Sequence, residues 1–288
     1  MTTVTGRSRH GLAFDAAGPD ADGADAGTIL LVHAGVCDRR MWQPQWEALT
    51  TRWRTIRVDL RGFGESDVRP KQPFAHHADV VALLDELDSG PAHLVGCSLG
   101  AGVVTEVALA RPDLAASLLL VSPGGALMTE PSEDLRRFWR AEGEALERGD
   151  IEGAVEANLR TWVDGLDREP DEVDPVVRAT VGVMQRRAFE ITAGWDDLDE
   201  LELGLEPPAT ERLEAIDVPA LVLAGDGDLP VILDMARTLA ARMPRSELVI
   251  WPVVAHLPSL ERPAAFERLA TEWFDRAPDA GSGLPRDL

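Results

Sequence analysis

Three residue types at the right places in a chain can activate a hydroxyl for attack on a carbonyl. They are a serine on a tight turn, a histidine to take its proton, and a carboxylate to hold that histidine. This sequence has a serine of that kind. The apolar run from Ala92 to Gly96 leads directly into Gly96-Cys97-Ser98-Leu99-Gly100, and a helix-forming stretch follows from Ala101 to Ala110. A Gly-x-Ser-x-Gly turn between a strand and a helix lifts the serine oxygen clear of a sheet. Its glycines stand where backbone must pass close to backbone. The turn also puts Ser98 at a helix N-terminus, which favours developing negative charge.

Six histidines compete to be the base. His10 lies in a weak N-terminal strand, and His76 and His77 open a helix and are expected on the surface. His93 begins the strand that ends at Ser98, so it sits at the wrong edge. His33 ends another strand and is expected to brace its loop, or to line the pocket. His256 follows the apolar run 247–253 and therefore falls on the same sheet edge as Ser98. For the carboxylate, Gly225-Asp226-Gly227-Asp228 follows the run 220–224. Asp228 has the longer reach and is preferred, with Asp226 in reserve. The oxyanion would be met by backbone N–H groups. Leu99 follows the nucleophile and supplies one, and Gly35 or Val36, after the run 28–33, supplies the other.

These residues need a sheet to align them. Apolar runs at 28–33, 53–59, 92–96 and 114–121 alternate with helical patterns at 41–49, 76–87 and 101–110, which argues for parallel strands covered by helices. From about 126 to 213 the pattern is helical only, with helices expected at 133–148, 151–163 and 175–191. The alternation then resumes with strands at 220–224 and 247–253 and helices at 231–241 and 264–274. The weak strand at 10–16 precedes all of these. The Gly/Ala/Asp-rich loop 18–27 reads as a solvated turn, and the tail 277–288 is expected to fray.

Composition narrows the function classes. The chain has 288 residues and a formal net charge of -22. Such acidity disfavours nucleic-acid and anionic-membrane binding. With no apolar run of membrane-spanning length, no signal-like N-terminus and two cysteines, Cys37 and Cys97, the expectation is a cytoplasmic protein with reduced thiols. The spacing of His, Cys and Asp offers no metal site. A homodimer is compatible with the sequence, which gives no partner beyond a small-molecule substrate.

The chain resembles the α/β-hydrolase fold superfamily, in its capped branch of esterases, lactonases and carbon–carbon bond hydrolases. The matching segments are Leu31-Val32-His33-Ala34-Gly35, Asp59 to Ser66, the Ser98 turn, Gly225 to Asp228, and Ala255-His256-Leu257-Pro258 with Glu261-Arg262-Pro263. Ala34 and Ala255 replace glycines usual in that family. The resemblance implies a mostly parallel eight-stranded α/β sheet with helices on both faces. The core would be formed by 1–125 and 214–288, with 126–213 as an inserted all-helical cap. It also implies a Ser98–His256–Asp228 triad and no cofactor, acting on a small-to-medium ester or lactone through an acyl-enzyme. Alternatives are carbon–carbon cleavage of a vinylogous diketone, a lyase or cyclase reaction using His256 as base, or a silent binding protein. Trp139, Trp162, Phe189 and Trp195 on the cap, with His33 and Leu257, are the expected pocket residues.

Overall fold

The computed structural model describes residues 2–19, 27–128, 130–195 and 198–277. Most of the acidic loop and all but the first residue of the C-terminal tail therefore lie outside the described residues. Eight strands form one sheet in the order β1-β2-β4-β3-β5-β6-β7-β8. They are β1 (Val4–Arg7), β2 (Ala13–Ala17), β3 (Thr28–Val32), β4 (Arg54–Val58), β5 (Ala92–Cys97), β6 (Ala115–Val121), β7 (Ala220–Gly225) and β8 (Ser246–Trp251). β3 to β8 run parallel, while β1 and β2 add an antiparallel hairpin at one edge.

The buried runs make parallel strands because both faces are covered. Ile29 and Leu31 of β3 point into one apolar cluster with Phe266 and Trp273. Leu30 and Val32 point into the other, with Val80, Leu83, Val104 and Val107. The first cluster is roofed by α1 (Gln43–Arg52), the second by α2 (His76–Glu86) and α3 (Leu99–Ala110). Each fully buried Leu, Ile or Val side chain contributes roughly 1.5–3 kcal/mol.

Between β6 and β7 the described chain is helical. It comprises α4 (Glu133–Glu147), α5 (Ile151–Asn158), α6 (Pro175–Thr192) and the short α7 (Leu198–Leu201). The expected helix 151–163 is in fact broken, because α5 passes into a π-helical turn, Leu159–Asp164. After β7 come α8 (Pro230–Arg242), then α9 (Pro258–Glu261) and α10 (Pro263–Arg276) beyond β8. No described helix is long and apolar enough to cross a membrane.

Two N-terminal expectations change. His10 sits exposed in the turn of the β1–β2 hairpin and not in a strand. β1 gives no apolar signal because it is an exposed edge strand, held by its ladder and by a Thr5 hydroxyl that donates to Asp15 at 2.7 Å.

The order β4-β3-β5 positions the site. The chain leaves β3 toward one side to form β4 and returns on the other side as β5. A crevice opens at such a switch point, outside the carboxyl ends of the strands. Val32 pairs with Gly96 there, so the loop after β3 and the turn after β5 are neighbours.

Candidate active site

Ser98 has φ 52° and ψ -113°, a strained conformation for a residue bearing a side chain. The flanking glycines make the turn sterically feasible. A Cβ on Gly96 would lie 2.2 Å from the Gly100 carbonyl oxygen, and one on Gly100 would lie 2.4 Å from that of Val32. The Ser98 N–H donates to Val121 at 2.9 Å, which pins the turn to β6. Ser98 itself remains partly exposed. Neighbouring Cys97 is fully buried, as is Cys37, and burial pushes both thiols up in pKa, so both stay protonated and inert.

His256 is 1% exposed, and its Nδ1 lies 2.6 Å from Asp228 Oδ2. The other Asp228 oxygen accepts the Leu229 N–H at 2.7 Å. Asp226 points elsewhere; it is exposed and accepts the Val253 N–H at 2.6 Å. The two loops are packed backbone to backbone. The Gly227 N–H donates to Val254 at 2.9 Å, and a Cβ on Gly225 would lie 2.1 Å from the Val254 oxygen. No direct hydrogen bond joins Ser98 to His256. Such contacts often tighten only around substrate.

The helical segment grips the histidine loop from outside. Trp162, in the π-helical turn, lies 4.5 Å from the His256 ring at an interplanar angle of 43°. Arg168 donates to the carbonyls of Val163 and Asp164 and reaches Glu261 at 2.6 Å. The other Glu261 oxygen accepts the Ala255 N–H at 2.8 Å, one residue before His256.

Gly35 and Val36 occupy the turn after β3. Their N–H groups donate to no described acceptor, nor does that of Leu99, the first residue of α3. Gly35 faces Leu99, whose side chain would be 3.7 Å from an added Cβ. His33 is fully buried and holds this turn in place. Its Nδ1 lies 2.8 Å from the Ala34 carbonyl oxygen, and its Nε2 accepts the Leu60 N–H at 2.9 Å. Burial lowers its pKa, so the ring is neutral. Both nitrogens are thus occupied by backbone, which corrects the expectation that His33 lines the pocket.

A cavity of about 210 Å³ opens beside Gly35 and Leu99, with Phe189 of α6 in its wall. The other expected pocket residues do not border it. Trp139 is 47% exposed, because Leu135 and Phe138 take the inward positions of α4 and turn the next residue outward. Leu257 is fully buried in the core, and Trp195 lies against Gly62. Two residues unmarked in sequence do border the cavity. His76, expected on the surface, is 6% exposed, and Gln185 of α6 is 5% exposed. His76 is covered because Phe74 pairs with Glu202 of the returning helical segment, a contact far away in sequence.

A serine at a strained strand-to-helix turn and a carboxylate–histidine pair at later strand ends define a site on the carboxyl edge of an α/β sheet. The sequence profile of the alpha/beta hydrolase family matches residues 29–269, and the chain belongs to that family. It is 23% identical over 264 residues to 3-oxoadipate enol-lactonase 1 of Acinetobacter baylyi, covering 91% of this chain and 92% of that one. It is 26% identical over 271 residues to a putative carbamate hydrolase of Pantoea ananatis, covering 92% and 94%. Among solved structures, a thermophilic esterase from Thermogutta terrifontis superposes with a TM-score of 0.73 at 26% identity, over 96% of this chain and 99% of that one. The enol-lactonase from Burkholderia xenovorans superposes with a TM-score of 0.72 at 25% identity, over 92% and 96%.

Proposed function

We propose that the protein hydrolyses a small-to-medium ester or lactone through a Ser98–His256–Asp228 triad and an acyl-enzyme. The observation that carries this reading is the 2.6 Å contact of Asp228 with His256 Nδ1. It leaves Nε2 as the free basic nitrogen, at the sheet edge that also bears Ser98. The relatives named as esterases and enol-lactonases support the same chemistry.

In this mechanism Ser98 Oγ bonds to the substrate carbonyl carbon as its proton passes to His256 Nε2. The carbonyl oxygen takes up negative charge and is met by the N–H of Leu99 and that of Gly35 or Val36. As the intermediate collapses, the carbon–oxygen bond to the leaving group breaks, and His256 returns the proton to that oxygen. Water, deprotonated by His256, then releases the acid and restores Ser98. Asp228 keeps the imidazole in the tautomer that can accept a proton at Nε2. The helical segment 126–213 acts as a lid over this edge, and Trp162 seals His256 from bulk water.

A fluorophosphonate probe tests the mechanism. One covalent adduct is expected on the wild-type protein and none on Ser98→Ala. Failure of the wild type to label, or equal labelling of the variant, overturns the serine nucleophile.

A further inference from the structure

The cavity beside Gly35 and Leu99 is more than a gap between the sheet edge and the helical segment. Its 210 Å³ is below the roughly 300–1,000 Å³ of ordinary ligand pockets, and it equals the liquid volume of about seven waters. Its apolar wall includes Phe63, Phe74 and Phe189. Its polar wall contains two buried side chains with unmet hydrogen-bonding capacity, His76 Nδ1 and Gln185 Oε1. The Gln185 amide nitrogen has no partner among the described residues either. Burying such groups unpaired works against folding, and residues kept this way beside a site are suited to pairing with a ligand.

We infer that this cavity is a recognition pocket for a compact, uncharged group carrying both a hydrogen-bond donor and an acceptor, of the carboxamide or carbamate kind, held by Gln185 and His76. The inference rests on the hydrolase reading, because Gly35 and Leu99, whose N–H groups would take the scissile carbonyl in that reading, are both lining residues of this cavity. A glutamine side chain offers one acceptor and two donors in a plane, which is the complement of another amide. His76 adds an acceptor. With its hydrogen on Nε2, on the side of Glu202 at 3.7 Å, the unpartnered Nδ1 keeps its lone pair.

The charges around the pocket disfavour a carboxylate. Arg61 is the cation in the wall, and its Nε and one amino group are turned to Asp79 at 3.1 and 2.7 Å. Glu202 adds a second negative charge. His76 gives no compensating charge, since burial above all, with Arg61 nearby, pushes its pKa down to about 3. The three arginines of α6 are engaged elsewhere, Arg178 with Asp164 and Glu156, Arg186 with Glu152 and Arg187 with Asp67.

The test uses three methyl esters of nearly equal shape: methyl succinamate, monomethyl succinate and methyl 4-methylpentanoate. Binding is followed by ligand-observed NMR titration of Ser98→Ala, which cannot turn them over. The amide should bind about tenfold more tightly than either isostere, the effect expected of one or two well-placed hydrogen bonds. Gln185→Leu, added to Ser98→Ala, should erase the preference. Equal or tighter binding of the carboxylate or alkyl ester overturns the inference, as does a preference that survives Gln185→Leu. If Gln185→Leu fails to fold, the ranking of the three esters by Ser98→Ala alone decides. The hydrolase reading fails separately. Amide preference without wild-type turnover or probe labelling overturns that reading only, whereas turnover without the preference overturns the pocket only.

Discussion

Replacing Asp228 by asparagine changes one atom at the centre of the proposed mechanism and little else. The carbonyl oxygen of the new amide can still accept the Leu229 N–H, which Asp228 Oδ1 accepts at 2.7 Å, so the loop keeps its anchor. The change falls at the other oxygen, 2.6 Å from His256 Nδ1. An amide there donates hydrogen toward Nδ1, and the imidazole answers by carrying its own hydrogen on Nε2. That tautomer cannot accept the Ser98 proton. The site is buried, with Asp228 3% and His256 1% exposed, so water cannot substitute for the lost acceptor. In triads of this construction the loss is about 10⁴-fold in kcat, or about 5.5 kcal/mol of transition-state stabilisation. Asp226→Asn is the matched control. Its contact with the Val253 N–H survives as an amide oxygen, and activity should stay within about threefold of wild type. Both variants are assayed by the acylation rate with an activated phenyl ester, and their melting curves should overlay the wild type. If Asp228→Asn keeps more than a tenth of the wild-type rate, or if Asp226→Asn is the more damaging, the acid has been misplaced.

Two further predictions follow from other parts of the molecule. His76 is neutral in the fold with a pKa of about 3, while in the unfolded chain it titrates near 6.5. Between those values the unfolded state binds the additional proton, so this contribution to stability is present above pH 6.5 and is lost as the pH falls toward 3. Going from pH 7 to 4.5, wild type should lose about 3 kcal/mol more than His76→Gln in urea unfolding; parallel losses would show that His76 is not buried neutral. Glu261 ties Arg168 to the Ala255 N–H, so Glu261→Ala should lower kcat about tenfold with little change in KM, and Glu261→Gln, which keeps an acceptor for that N–H, should recover most of it. A loss confined to KM, or no recovery with glutamine, would remove Glu261 from the positioning of His256.

The central sheet was legible because its signal is local. Runs such as Thr28 to Val32 are buried at every position, and both faces of β3 are indeed packed. β1 has no such run, since an exposed edge strand needs only its ladder. Placing His256 and an aspartate loop on the edge that bears Ser98 required only that the strands be parallel, a property of the whole pattern. Choosing between Asp226 and Asp228 rested on reach, and the structure turns them to different partners, the Val253 N–H and His256.

The residues over and beside the site were a different matter, because their exposure is decided by segments far away in the chain. Trp139 and Trp162 look equivalent as letters. Trp139 is turned out by the phase of α4, whereas Trp162 is turned onto His256 in a π-helical turn that no periodicity of 3.6 predicts. His76 opens a helix, where a histidine is ordinarily solvated. It becomes the wall of a cavity only because Glu202 returns beside Phe74 and α6 places Gln185 in the same wall. The walls of the proposed recognition pocket are therefore brought together by contacts across more than a hundred residues of sequence. The strand-end edge that bears Ser98, Asp228 and His256 is encoded strand by strand, whereas the cavity beside it is assembled from α2, α6 and the loop after β4.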